Sequence, residues 1–104
     1  MSEEVRICGE DDLEQGSARR FDVAGVAVCL AHCDDGFHAI SDVCSHEDYS
    51  LAEGDLDAER CEIECWKHGS MFSLLDGTPE TLPATRPVAV FPVVVRDGAV
   101  FVCL

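Results

Sequence analysis

Cys44-Ser45-His46, then 18 residues, then Cys65-Trp66-Lys67-His68 is the stretch on which the reading of this chain turns. Each Cys-His pair lies within a short turn, so the two pairs together offer two thiolates and two imidazoles to one inorganic centre. Two kinds of centre accept that donor set. One is a [2Fe-2S] cluster in which two cysteines hold one iron and two histidines replace cysteine on the other. The other is a closed tetrahedral zinc site. Zinc-finger spacing normally places both cysteines before both histidines, with about 12 residues between the pairs. Here the order is Cys, His, Cys, His, which suits the di-iron cluster and not the finger.

Residue types, order and spacings all have to agree for C-x-H followed by C-x-x-H, so the motif is far more specific than a lone C-x-x-C. It resembles the Rieske-type ferredoxins of bacterial multicomponent oxygenase systems, and the likeness runs from about Gly25 to Val102. The resemblance implies an all-β fold: a Rieske-like antiparallel β-sandwich with a cluster-binding subdomain of two ligand loops. It implies one [2Fe-2S] cluster held by Cys44, His46, Cys65 and His68, both histidines presenting their free ring edge near the surface. It also implies a soluble, monomeric one-electron carrier, not itself an enzyme, between a flavin-dependent reductase and a terminal non-haem iron, ring-hydroxylating oxygenase. Two other uses of such a chain stay open: the small subunit of a nitrite-reductase-like complex, and a ferredoxin serving iron-sulfur assembly. The 18-residue spacer is slightly longer than the family's usual gap. A longer excursion through Glu53 to Arg60 is expected from it.

With two ferric ions, two sulfides, two thiolates and two neutral imidazoles, the oxidised cluster carries no net charge, and reduction makes it −1. Four thiolates would take the same core from −2 to −3, so histidine ligation eases electron uptake. In the high-potential members of the resembled family a disulfide links the ligand loops, and a serine and a tyrosine donate hydrogen bonds to the cluster. The matching positions here are Tyr49 and Lys67 for the disulfide, Ser70 for the serine and Phe72 for the tyrosine. Fewer donors amid many carboxylates disfavour the extra electron, and a potential of roughly −150 mV, the low end of the class, is expected.

Length bounds the function. The 104 residues suffice for one domain, 1–104, but only 36 of them follow His68 and only His32 and His38 remain outside the motif. A second iron site built from two histidines and a carboxylate cannot be added. The 21 acidic and 7 basic side chains give a formal charge of −14. Nucleic acid and anionic membrane are repelled, whereas a protein with a basic docking face is attracted. Seven cysteines is an odd number, Met1 to Gly9 has no apolar signal region, and the longest apolar run, Pro87 to Val95, is interrupted by Pro92. A reducing cytoplasm is therefore expected, with no membrane span. Cys8, Cys29, Cys33, Cys61 and Cys103 read as small buried hydrophobes, with Cys61 and Cys29 or Cys33 as a weaker redox option. His32 and His38 read as ordinary strand or hairpin residues, and Trp66 as either a docking rim or a packed support for its loop.

Strands are expected over Val5–Cys8, Arg19–Val23, from Val26, where Val26, Val28 and Leu30 alternate with smaller residues, Phe37–Ile40, Cys61–Glu64, Ser70–Leu74, Val88–Arg96, with an edge or bulge at Pro92, and Ala99–Cys103. One helical turn is expected within Glu10–Glu14. Turns are expected at Ala24-Gly25, Asp34-Asp35-Gly36, Asp76-Gly77 and Asp97-Gly98. Ser50 to Asp57 reads as loop with a short strand at its start. Thr81 to Pro87 reads as irregular, and by resemblance it is the proline-containing loop covering the cluster.

Overall fold

The structure, a computed structural model, describes residues 4–43, 50–66, 69–79 and 87–104. These form ten strands in three antiparallel sheets. The strands are β1 (Glu4–Gly9), β2 (Ala18–Val23), β3 (Val26–Cys33), β4 (Gly36–Ser41), β5 (Leu56–Asp57), β6 (Glu62–Glu64), β7 (Met71–Ser73), β8 (Val90–Phe91), β9 (Val93–Arg96) and β10 (Ala99–Cys103). Short 3-10 turns occupy Glu10–Asp12 and Leu51–Glu53. The expected all-β sandwich with a separate small sheet is what forms.

The middle layer is the sheet β2-β3-β4-β8. Successive side chains of a strand point to opposite faces, and β3 uses both for burial. Val28 and Leu30 join Val23, Ala39, Val100 and Val102 in one core against the sheet β1-β10-β9. Cys29, Ala31 and Cys33 join Ile40, Leu51, Ile63, Phe72 and Leu74 in another, against the sheet β5-β6-β7. Large and small residues alike are covered here: Val28 to Ala31 are all fully buried, because each face has its own sheet to cover. A strand buried on both sides reads as a continuous apolar run.

Two expectations are corrected. The strand placed near the start of Ser50–Asp57 lies at its end, as β5, and the start forms the 3-10 turn. The single strand Val88–Arg96 is two: Pro92 has no N–H to give a ladder, so β8 pairs with β4 in the middle sheet and β9 with β10 in the outer one. The segment thereby stitches the two sheets together. Of the Thr81–Pro87 loop, only Pro87 is among the described residues, and it lies outside any strand.

The excursion between the two Cys-His pairs is tied to the small sheet at close quarters. Glu64 N–H donates to the Asp55 carbonyl at 2.9 Å. A Cβ on Gly54 would sit 1.5 Å from the Glu64 carbonyl oxygen, which no side chain tolerates. Gly54→Ala is therefore expected to push the excursion off β6 and cost about 2 kcal/mol. Urea unfolding of the two proteins checks this, and an unchanged midpoint would show that the contact yields freely.

Candidate metal centre

The first Cys-His pair falls in the connection that leaves β4, and the second in the loop of the β6–β7 hairpin, where Glu64 pairs with Met71. Cys44, His46 and His68 lie outside the described residues, as do Tyr49 and Lys67. Cys65 is described and fully buried. Its N–H donates to the Ser70 carbonyl at 2.7 Å, and its own carbonyl accepts from Gly69 N–H at 2.8 Å. Gly69 takes φ 75, a left-handed conformation that only glycine adopts without penalty, and this permits the tight return. Ser70 and Phe72 are buried, and Trp66 is half-exposed at 48%.

At the first pair, both ends of the connection are held. An antiparallel bridge joins Val43 to Ser50. Beneath it lies Asp42, fully buried and unforeseen in the sequence. Its carboxylate accepts from Ala52 N–H at 2.8 Å and from the Ser50 hydroxyl. Its backbone carbonyl accepts from Leu51 N–H at 2.7 Å, and its N–H donates to the Ala27 carbonyl at 3.0 Å. Arg20, half-exposed, brings Nε to 3.8 Å of the carboxylate. Asp42, two residues before Cys44, thus fastens the end of the outgoing chain to the turn that receives it again. Its only sequence signal was an acidic residue ending an apolar strand, which turns produce routinely.

Every surplus cysteine but one is buried: Cys8, Cys29, Cys33 and Cys61, with Cys103 partly exposed. Burial, reinforced by the Asp42 carboxylate, pushes the Cys29 thiol well above its ordinary range, so it packs as a neutral group. His32 is structural: its Nδ1 lies 2.8 Å from the Leu13 carbonyl and its ring stacks on Phe37 at 4.0 Å.

A middle sheet covered on both faces, and a small sheet whose hairpin loop carries a buried cysteine opposite a pinned connection, is the arrangement of a cluster-binding electron-transfer domain. The chain matches the Rieske [2Fe-2S] domain over residues 3–92 and belongs to that family. A 3-phenylpropionate/cinnamic acid dioxygenase ferredoxin subunit from Photorhabdus laumondii is 36% identical over 96 residues, covering 92% of this chain and 90% of that one. The ferredoxin of carbazole 1,9a-dioxygenase from Nocardioides aromaticivorans IC177 is 37% identical, with a TM-score of 0.92 over 95% of each chain. A chain in the complex of reduced oxygenase and oxidized ferredoxin of carbazole 1,9a-dioxygenase is 36% identical, with a TM-score of 0.88 over 95% of this chain and 91% of that one. The protein is thus a ferredoxin-type electron carrier whose cofactor is a Rieske [2Fe-2S] cluster, an electron-transfer component and not a catalyst. The donor chemistry fits: two thiols and two imidazoles lie in the two loops, and the thiol of Cys65 is already withdrawn from water.

Asp42→Ala would leave Ala52 N–H and the Ser50 hydroxyl without their acceptor in a buried setting. A loss of about 3 kcal/mol is expected, together with less cluster per chain, read from thermal unfolding and from visible absorbance against protein concentration. Full retention of both would remove Asp42 from its anchoring role.

Proposed function

We propose that this chain accepts single electrons from a flavin-dependent reductase and delivers them to a terminal non-haem iron oxygenase, with Cys44, His46, Cys65 and His68 holding the cluster and residues 1–104 making one Rieske domain. The observation that carries the reading is the placement of the two Cys-His runs, one in the pinned connection after β4 and one in the β6–β7 loop, in a chain similar to a ferredoxin complexed with its oxygenase. When bound, the cluster supplies reversible one-electron chemistry. The protein supplies rigidity: Asp42, the Val43–Ser50 bridge and the closed 65–70 turn hold the ligand runs to packed strands. A fixed frame keeps reorganisation small when the electron arrives or leaves.

Val43 precedes the first Cys-His run and Trp66 lies within the second; they are exposed at 38% and 48%. They suit a small apolar contact patch through which an electron passes at short range. Around it the charge of −14 favours a basic partner surface, fast encounter and ready release. A permanent subunit of a larger complex would call for a broad apolar face. The exposed large apolar residues among those described are six: Val26, Val43, Trp66, Leu75, Val90 and Val95. None of the named relatives fixes the organic substrate of this chain's partner, since one serves a phenylpropionate dioxygenase and others a carbazole dioxygenase. A cytoplasmic location is part of the proposal; among the described residues no helix is long and apolar enough to cross a membrane.

Cys44→Ser and His68→Ala are expected to yield colourless protein lacking the reduced-state EPR signal; either variant retaining full absorbance would defeat the ligand assignment. The wild type is expected to titrate as a one-electron couple at roughly −150 mV, because Phe72 has no hydroxyl to donate. A midpoint well above 0 mV would contradict that reading. Electron delivery to the oxygenase is expected to slow as ionic strength rises from about 0.05 to about 0.5 M. A rate insensitive to salt would remove the electrostatic part of the docking model.

A further inference from the structure

Cys33, Asp35, His38 and Cys61 belong to no part of the carrier function described above, yet their Sγ, carboxylate and imidazole atoms all lie within 4.8 Å of one another. Three of the four come from one hairpin: Cys33 ends β3, Asp35 is in its two-residue turn, and His38 is in β4. The fourth arrives from the turn before β6. That turn is lashed to the hairpin by Asp34 N–H donating to the Ala58 carbonyl at 3.0 Å, and to the residue just after β7 by Leu74 N–H donating to the Cys61 carbonyl at 2.8 Å. Cys61 is held at φ 58, a left-handed conformation that costs a residue with a Cβ about 1 kcal/mol or more. Strain of that kind, kept in place by surrounding contacts, marks positions where the side chain's placement matters.

We propose that these four residues form a second metal site, distinct from the Rieske centre, that binds one Zn²⁺ through two thiolates, one imidazole and one carboxylate. Zinc takes this donor set tetrahedrally, with bonds of about 2.3 Å to sulfur and about 2.0 to 2.1 Å to nitrogen and oxygen. Those lengths imply about 3.8 Å between the sulfurs and about 3.3 Å between imidazole nitrogen and carboxylate oxygen. His38 Nε2 already stands 3.0 Å from Asp35 Oδ1. The sulfurs of Cys33 and Cys61 stand within 4.8 Å of each other and of both those atoms. The geometry therefore closes with small movements. Cys33 and Cys61 form the buried floor, His38 is part-exposed, and the exposed Asp35 leaves an entry path from solvent.

Without a cation the thiols are held neutral: burial and the carboxylates of Asp34 and Asp35 push Cys33 well up, and burial and Asp35 raise Cys61. On binding, each thiol gives its proton to solvent as its sulfur ligates. The two thiolates, one carboxylate and Zn²⁺ sum to −1, so the metal relieves most of the charge that deprotonation creates. A plain disulfide is the rival for the two cysteines. It would leave the convergence of His38 and Asp35 on the same point without a role, and the metal site uses all four groups.

The test is zinc and iron content of the cluster-loaded wild type after exposure to Zn²⁺, with removal of loose ion by a chelator of micromolar affinity. One zinc beside two irons per chain is expected, with X-ray absorption at the zinc edge showing two sulfur neighbours. The double variant Cys33→Ser/Cys61→Ser is expected to lose the zinc and keep its irons and visible spectrum. Asp35→Asn, an exposed change that keeps the side chain's shape and its suitability for the turn, is expected to weaken zinc binding tenfold or more. The site is overturned if the wild type retains no zinc, if the double variant retains it undiminished, or if intact mass shows Cys33 and Cys61 as a disulfide in protein offered zinc under reducing conditions. Zinc taken up in place of iron at the Rieske ligands would persist in the double variant and abolish the colour, so failure there is separable from failure here.

Discussion

From Val28 to Ala31, β3 has no face left for water, and the rest of the molecule follows from that. Val28 and Leu30 need a cover on one side, Cys29, Ala31 and Cys33 on the other. A single sandwich would satisfy only the first. The small sheet β5-β6-β7 satisfies the second, with Ile63 and Phe72 paired across it and both fully buried. Burying a side chain of that size contributes about 1.5 to 3 kcal/mol. The small sheet is too short to stand alone, since isolated hairpins are marginal in water. It exists because the back of the middle sheet demands it, and the second ligand loop sits at its tip.

From that dependence comes the stiffness of the site. The two ligand runs are far apart in sequence but leave packed elements within a residue or two: Asp42 and Val43 precede Cys44, and Glu64 precedes Cys65. Asp42 holds the two ends of the first connection together, because one buried carboxylate satisfies a backbone donor and a hydroxyl of the returning chain. Gly54 does the complementary work at β6 by lacking a side chain. An apolar residue in either place would break a contact and provide nothing in exchange.

Much of this was legible in the residues. The Cys-His spacing announced the cofactor class, and turn signals such as Ala24-Gly25, Asp34-Asp35-Gly36 and Asp97-Gly98 set the hairpins, because positive φ and side-chain hydrogen bonding are local properties. What the sequence hid was set at a distance. Nothing within β3 says that a second sheet will cover its back. Pro92 announced a break, but the exchange of sheets on either side of it depends on which edge each half meets. Asp42 looked like any turn aspartate, since its partners Ser50 and Ala52 are brought back by the whole ligand connection. His38 and Cys61 looked ordinary for the same reason: 22 residues separate them, and only the packing of one hairpin on another brings them together.

The placement of the cysteines shows how one small domain keeps several thiols from competing for iron. Cys29 lies between the sheets, where burial and the Asp42 carboxylate push its thiol well up. Cys33 and Cys61 are likewise raised, and they become ligands only for an ion that brings its own compensating charge to the hairpin end. Cys61 and Cys65 bracket β6, four positions apart, which at strand rise is about 13 Å. That strand therefore has a thiol at each end, one at the loop that carries the second Cys-His pair and the other where its start is lashed to the β3–β4 hairpin. A metal at the far end would add no redox chemistry of its own. It would fix the β6 anchor from behind, so that the Cys65 loop moves only as far as the middle sheet allows.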